Sequence, residues 1–161
     1  MVALGILTVA LAGASHIFSM GLETTYRMRV RATARQLAKD LMEEVLSKEP
    51  WKREGICGSS TLSAETGETR FGTTADTVYD DVGDYNNYTE TPPKAIDGTA
   101  LSAFQGFQRS VTVQYLDPVT LAVSAAQTDY QQITVTVKYS PQNVFTSPVA
   151  TYSLSQILTA S

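Results

Sequence analysis

Cysteine and histidine are almost missing from this chain of 161 residues. Each occurs once, as Cys57 and His16. A single cysteine excludes an intramolecular disulfide and every zinc pattern built on cysteine pairs. A single histidine, set in an apolar run, excludes a Ser-His-Asp or Cys-His arrangement from the rest of the chain. No glycine-rich phosphate loop and no HExxH motif occurs. The acid pairs Asp80-Asp81 and Glu43-Glu44 are commonplace surface features. We therefore expect no enzyme.

Basic charge is also scarce where nucleic-acid binding would need it. The formal net charge is −4. Residues 1–53 carry a net +3, and residues 54–161 a net −7. An acidic C-terminal two thirds lacks the cationic surface that neutralises phosphate, so no nucleic-acid partner is expected.

Proline is absent before Pro50, and no acid or strongly basic residue occurs before Glu23. Residues 1–49 therefore read as one long helix, apolar over 1–22 and amphipathic over 23–49. Twenty-two apolar residues are enough to cross the ~30 Å hydrocarbon core of a bilayer. With no Lys or Arg ahead of it, the run reads as a retained segment rather than a removable signal peptide. Leu4, Leu7, Leu11, Ile17 and Phe18 are the expected helix-to-helix contacts, and Ala10 with Ala14 supplies a small-residue spacing for close approach. Beyond the run, Val30, Ala34, Leu37, Leu41 and Val45 recur at helical spacing and form a stripe that must cover something apolar. Arg27, Arg29, Arg31 and Arg35 could meet phosphates; a solvated face is the plainer reading. Pro50 is expected to stop the helix.

Residues 50–108 form a loop-rich region punctuated by glycine, with a short turn expected over Leu101–Phe104. Within it, Asp80, Asp81 and Asp84 bring hard oxygen ligands together that calcium would accept, although the spacing is not that of an EF-hand. A structural turn explains the same residues. Asn87-Tyr88-Thr89 is a glycosylation sequon of a kind that arises often by chance. Residues 109–161 carry period-two alternation: Val111, Val113 and Tyr115; Leu121, Val123 and Ala125 after an Asp117-Pro118 turn; Ile133, Val135, Val137 and Tyr139; and a less regular run over Val149–Leu158. The expected fold is α+β, a long N-terminal helix packed through its stripe on a small antiparallel sheet of three or four strands.

The apolar run Met1-Val2-Ala3-Leu4-Gly5-Ile6-Leu7-Thr8-Val9-Ala10-Leu11-Ala12-Gly13 resembles the N-terminal segment of type IV pilin-like proteins, which include minor pilins and the pseudopilins of type II secretion. Ala32, Ala34, Leu37, Ala38, Leu41, Met42 and Glu43 resemble the rest of that family's helix. The turn Asp80-Asp81-Val82-Gly83-Asp84-Tyr85, Pro92-Pro93 and the stretch from Gly106-Phe107 to Val111 are similar to minor members. The family's Gly-Phe-Thr-Leu-Ile-Glu processing motif is not seen; aligned on the apolar run, its glutamate falls two residues before Met1. Two expectations follow: the chain starts inside that motif, the reading we prefer, or Met1 is the mature end and Gly5 stands where glutamate is usual. The resemblance implies a structural subunit, a minor one, of a pilus-like or pseudopilus filament. Its partners would be other pilin-like subunits, its helix would sit in the inner membrane before assembly, and its globular part would lie outside the cytoplasm. The alternatives are a filament-tip or membrane-anchored module that binds a surface, a secreted substrate or calcium; a major fibre subunit; and an unrelated anchored domain.

Overall fold

One helix, α1, runs unbroken over Val2–Leu46. At ~1.5 Å per residue its 45 residues extend about 68 Å. This computed structural model describes residues 2–48, 62–74, 77–145 and 148–159, with side chains from Phe18 onward. The helix ends before the expected stop at Pro50, which lies outside the described residues. Its last turn closes when the Ser47 N–H reaches the carbonyls of Glu43 and Glu44, both at 3.1 Å, and the Ser47 hydroxyl donates to Glu44 at 2.6 Å.

Among the described residues the sheet has five antiparallel strands, where three or four were expected. They are β1 (Thr89–Glu90), β2 (Phe107–Leu116), β3 (Val123–Ser124), β4 (Tyr130–Tyr139) and β5 (Ala150–Thr159). The order across the sheet is β1-β2-β4-β5, and β3 pairs with the far end of β2. The additional strand, β1, lies in the stretch read as loop; its two residues are too few to show a period. The Leu121–Ala125 alternation becomes paired strand only over Val123–Ser124. The other three strands follow their alternation closely, since each buries one face.

That inner face is continuous across strands. Val111 sits opposite Val135, which sits opposite Leu154; Val113 sits opposite Ile133; Arg109 sits opposite Val137, which sits opposite Tyr152. Val30, Ala34, Leu37, Ala38, Leu41, Met42 and Val45 of α1 pack on it and are buried with these valines. The expected stripe Val30, Ala34, Leu37, Leu41 and Val45 is among these buried residues. Burying large aliphatic side chains is worth about 1.5–3 kcal/mol each, which explains why the helix is held along four turns. The outer face is polar: Thr134 bonds Ser155 at 2.9 Å and Thr136 bonds Ser153 at 3.0 Å across the β4–β5 ladder.

The two ends of the sheet differ. At one end Tyr139, Ala150 and Phe107 adjoin the helix near Tyr26, whose hydroxyl bonds that of Tyr139. At the other end β2 turns into β3 through residues 117–122. Asp117 organises this turn: its Oδ1 accepts the N–H groups of Val119 and Thr120 at 3.0 and 2.7 Å, and the Thr120 hydroxyl at 2.9 Å. Leu121 then takes a left-handed conformation, φ 56°. For a residue with a Cβ this costs roughly 1–2 kcal/mol.

Leu41 is wholly buried in the helix–sheet core. We expect Leu41→Ala to lower stability by about 2–5 kcal/mol, the usual cost of a cavity plus lost burial. Chemical denaturation followed by circular dichroism measures it. A loss near zero would show that the stripe does not hold the helix down.

Candidate functional site

Three places deserve a functional reading, and each is built by α1 or by the loops beside it. The first is a chain of buried charges. Glu44 lies three residues after Leu41, at the margin of the stripe. Arg70, from the loop region, grips both its oxygens: Nε to Oε1 at 2.6 Å and Nη2 to Oε2 at 2.5 Å. The other face of Arg70 reaches Glu90 of β1, Nη1 to Oε2 at 2.8 Å. Glu90 in turn receives Arg109 of β2, Nε to Oε1 at 2.5 Å. Arg109 then donates to the Lys94 carbonyl at 2.6 Å and toward the Leu37 carbonyl of α1 at 3.4 Å. Tyr85 donates to Glu44 at 2.9 Å and Tyr88 to Glu90 at 2.7 Å. The Arg70, Glu90 and Arg109 side chains are no more than 3% exposed.

Burial opposes ionisation of Glu44, but the Arg70 guanidinium and the Tyr85 hydroxyl outweigh it and hold the carboxyl below its usual range. Burial and the neighbouring carboxylates push the Tyr85 and Tyr88 phenols up, so both remain donors. Two anions and two cations meet with donors matched to acceptors, and nothing here is placed to attack a substrate. The chain ties α1, the loop region and the sheet together. Sequence reading missed it. The available signal was Arg109, a charged residue at an inward position of the Phe107–Tyr115 alternation.

The second place is the acidic turn, where Asp80, Asp81 and Asp84 do come together, their carboxylate oxygens within 4.8 Å of one another. Glu65 and Glu68 approach Asp84 as well, a pair that sequence reading did not single out. Asp84 is buried in the short helical turn Gly83–Tyr85. Its Oδ2 accepts the N–H groups of Asp80 and Asp81 at 2.9 and 3.0 Å, and Asp81 Oδ1 accepts the Asp84 N–H at 3.1 Å. This reciprocal arrangement fixes the turn. Burial, then the Asp81 and Glu68 carboxylates, push the Asp84 carboxyl up to about 6 against the pull of the two backbone N–H groups. The oxygen-only donor set suits calcium chemically, and the turn bonds account for the same geometry.

The third place is the part of α1 that overhangs the sheet. Phe18, Met20, Leu22, Tyr26 and Met28 are all exposed, Phe18 by 76%. Leu4, Leu7, Leu11 and Ile17, the other expected assembly residues, and His16 have side chains outside the described residues, as does Cys57. Among the described residues no helix is long and apolar enough to cross a membrane. Beside the overhang lies a cleft of about 540 Å³ between α1 and the edge strand β5. Met28, Arg31, Ala32, Arg35, Ala150 and Tyr152 line it, and the Arg35 guanidinium lies 5.8 Å from the centre of the Tyr152 ring. Arg27 pairs with Glu23 at 2.7 Å; among the described residues no ion pair takes Arg31 or Arg35.

Comparison with protein-family models, curated proteins and solved structures finds no match to this chain.

Two substitutions test these sites. Glu90→Gln leaves two buried guanidinium groups facing one carboxylate. It should cost about 3–5 kcal/mol, as removal of one partner from a buried ion pair does; urea unfolding at pH 7 reads it. Asp84→Asn keeps an oxygen for the two N–H groups and removes the charge. A carboxyl whose folded value is raised contributes stability fully below about pH 4, and that contribution is lost as pH rises through about 6. The melting temperature of the native chain relative to Asp84→Asn should therefore fall between pH 4 and 6.5. A constant difference across that window would remove the electrostatic account of this turn.

Proposed function

We propose that this chain is a structural subunit, a minor one, of a type IV pilus-like or type II secretion pseudopilus filament. In this reading α1 holds the chain in the inner membrane before assembly and packs among the helices of other pilin-like subunits afterwards. The sheet and loops then face outward. The observation that supports it best is the division of labour along one continuous helix. The stripe from Val30 to Val45 is buried against the sheet, whereas Phe18, Met20, Leu22 and Met28 stand exposed in the isolated chain. Exposed apolar surface of this extent on a helix calls for a lipid or protein environment. The resemblance of the Met1–Gly13 run to pilin-like proteins supplies the kind of assembly.

The buried charges fit a scaffold: they spend their chemistry on fixing the helix. A loop region rich in turns is more in keeping with a minor subunit than with the main fibre protein. A second reading, a filament-tip or membrane-anchored binding module that holds calcium, draws on the two carboxylate groups that share Asp84, one with Glu65 and Glu68 and one with Asp80 and Asp81.

Shearing of filaments from cells, with intact-mass and N-terminal analysis of this chain, distinguishes these readings. We expect the chain in the sheared fraction, well below the main subunit in quantity, with a processed and N-methylated end. High abundance would make it the main fibre subunit. An unprocessed chain held wholly in the membrane fraction would leave an anchored domain and sink the filament reading.

A further inference from the structure

Two surfaces at opposite ends of the sheet complement one another. The first is the tip of the β2–β3 hairpin, residues 117–122, which with the first residue of β3 presents Val119, Leu121 and Val123 to solvent, Val119 by 88%. The second is the cleft between α1 and β5, at the end where Tyr26 meets Tyr139. Ten residues of β2 set them about 30 Å apart.

Three observations join these surfaces. First, Leu121 is held at positive φ, a conformation that glycine or asparagine would adopt without strain. A half-exposed leucine in a strained position points to a use for its side chain. Second, the charges are opposite. No Lys or Arg occurs from Ser110 to Val137, while Asp117 and Asp129 do; the cleft offers Arg31 and Arg35. Third, the volume of the cleft matches a small cluster of aliphatic side chains, and its walls of Met28, Ala32 and Tyr152 are apolar.

We infer that the hairpin tip of one copy seats in the α1–β5 cleft of the next copy, with Leu121 and Val119 against Met28, Ala32 and Tyr152 and with Asp117 facing Arg31 and Arg35. The occupant is a second copy because both halves of the contact are on this chain. Unlike patches at opposite ends give a head-to-tail contact, which runs on as an open filament where its rotation does not close a ring. As a screw along the filament it leaves every α1 pointing the same way. Pairing two β5 edges antiparallel about a two-fold axis would point them in opposite ways. The inference rests on the filament reading above and holds for each pair of copies that are neighbours in the filament.

The test uses full-length chains in a Cys57→Ser background. One carries Val119→Cys and the other Ala32→Cys; both sites are exposed, so neither change disturbs the core. The two are expressed together in cells and oxidised. A disulfide-linked dimer should form in the mixture and with neither chain alone. Adding Leu121→Gly to the Val119→Cys chain should cut the dimer at least tenfold while raising the melting temperature, which separates loss of contact from loss of fold. No dimer in the mixture, although both chains appear in sheared filaments, would overturn the contact and leave the filament reading intact. Linkage only to a different protein would overturn the second-copy assignment, and a dimer yield unmoved by Leu121→Gly would overturn the role of the tip. Dimer formed while all the protein stays in the membrane fraction would uphold the contact and remove the filament reading.

Discussion

Everything in this structure depends on the way Glu44 is neutralised. A carboxylate at the edge of the helix stripe cannot be carried into the helix–sheet boundary alone; the desolvation cost of a bare ion is several kcal/mol. Arg70 answers it, Glu90 answers Arg70, and Arg109 answers Glu90. Each step recruits another part of the chain: helix, loop, short strand, long strand. The position of α1 is thus specified by ionic geometry as well as by apolar contact. A greasy stripe alone would tolerate a shift of one helical turn along the valines of β4. Glu44 does not, since its two oxygens match one guanidinium fork.

This specification has a purpose if α1 is also an assembly element. The overhanging part must leave the sheet at a fixed angle for neighbouring subunits to meet it in the same way each time. The contacts closest to the point of departure are modest: a tyrosine pair between Tyr26 and Tyr139, and the margin of Val30. The firm attachment lies further along, at Leu37 to Val45, where apolar burial and the charge chain coincide. The helix is thereby clamped over its last turns, while Phe18, Met20, Leu22 and Met28 stay exposed.

The fold was legible to the extent that it is periodic. Val30 through Val45 showed its 3.6-residue stripe, and β2, β4 and β5 showed alternation, because in each case a single face is buried. β1 was not legible; two residues carry no period, and Glu90 takes its place through an ion pair with Arg109 rather than through burial of apolar surface. The charge chain was hidden for a related reason. Its members are 19 or more residues apart along the sequence, and only Arg109, charged at an inward position, marked the place. The aspartates of the acidic turn were close enough in sequence to be grouped by inspection. Glu65 and Glu68 were not, and no local pattern announces that Asp84 is buried.

The order of synthesis runs against the order of contact. The stripe of α1 is made first, and β4 and β5, which cover most of it, are made last. At usual translation rates of ~5–20 residues per second, the interval is on the order of ten seconds. Glu44 likewise waits for Arg70, and Tyr26 waits for a partner 113 residues away. Contacts of such long range form late and slowly. For that interval the stripe can meet Tyr85 and β2 but not the strands that cover most of it.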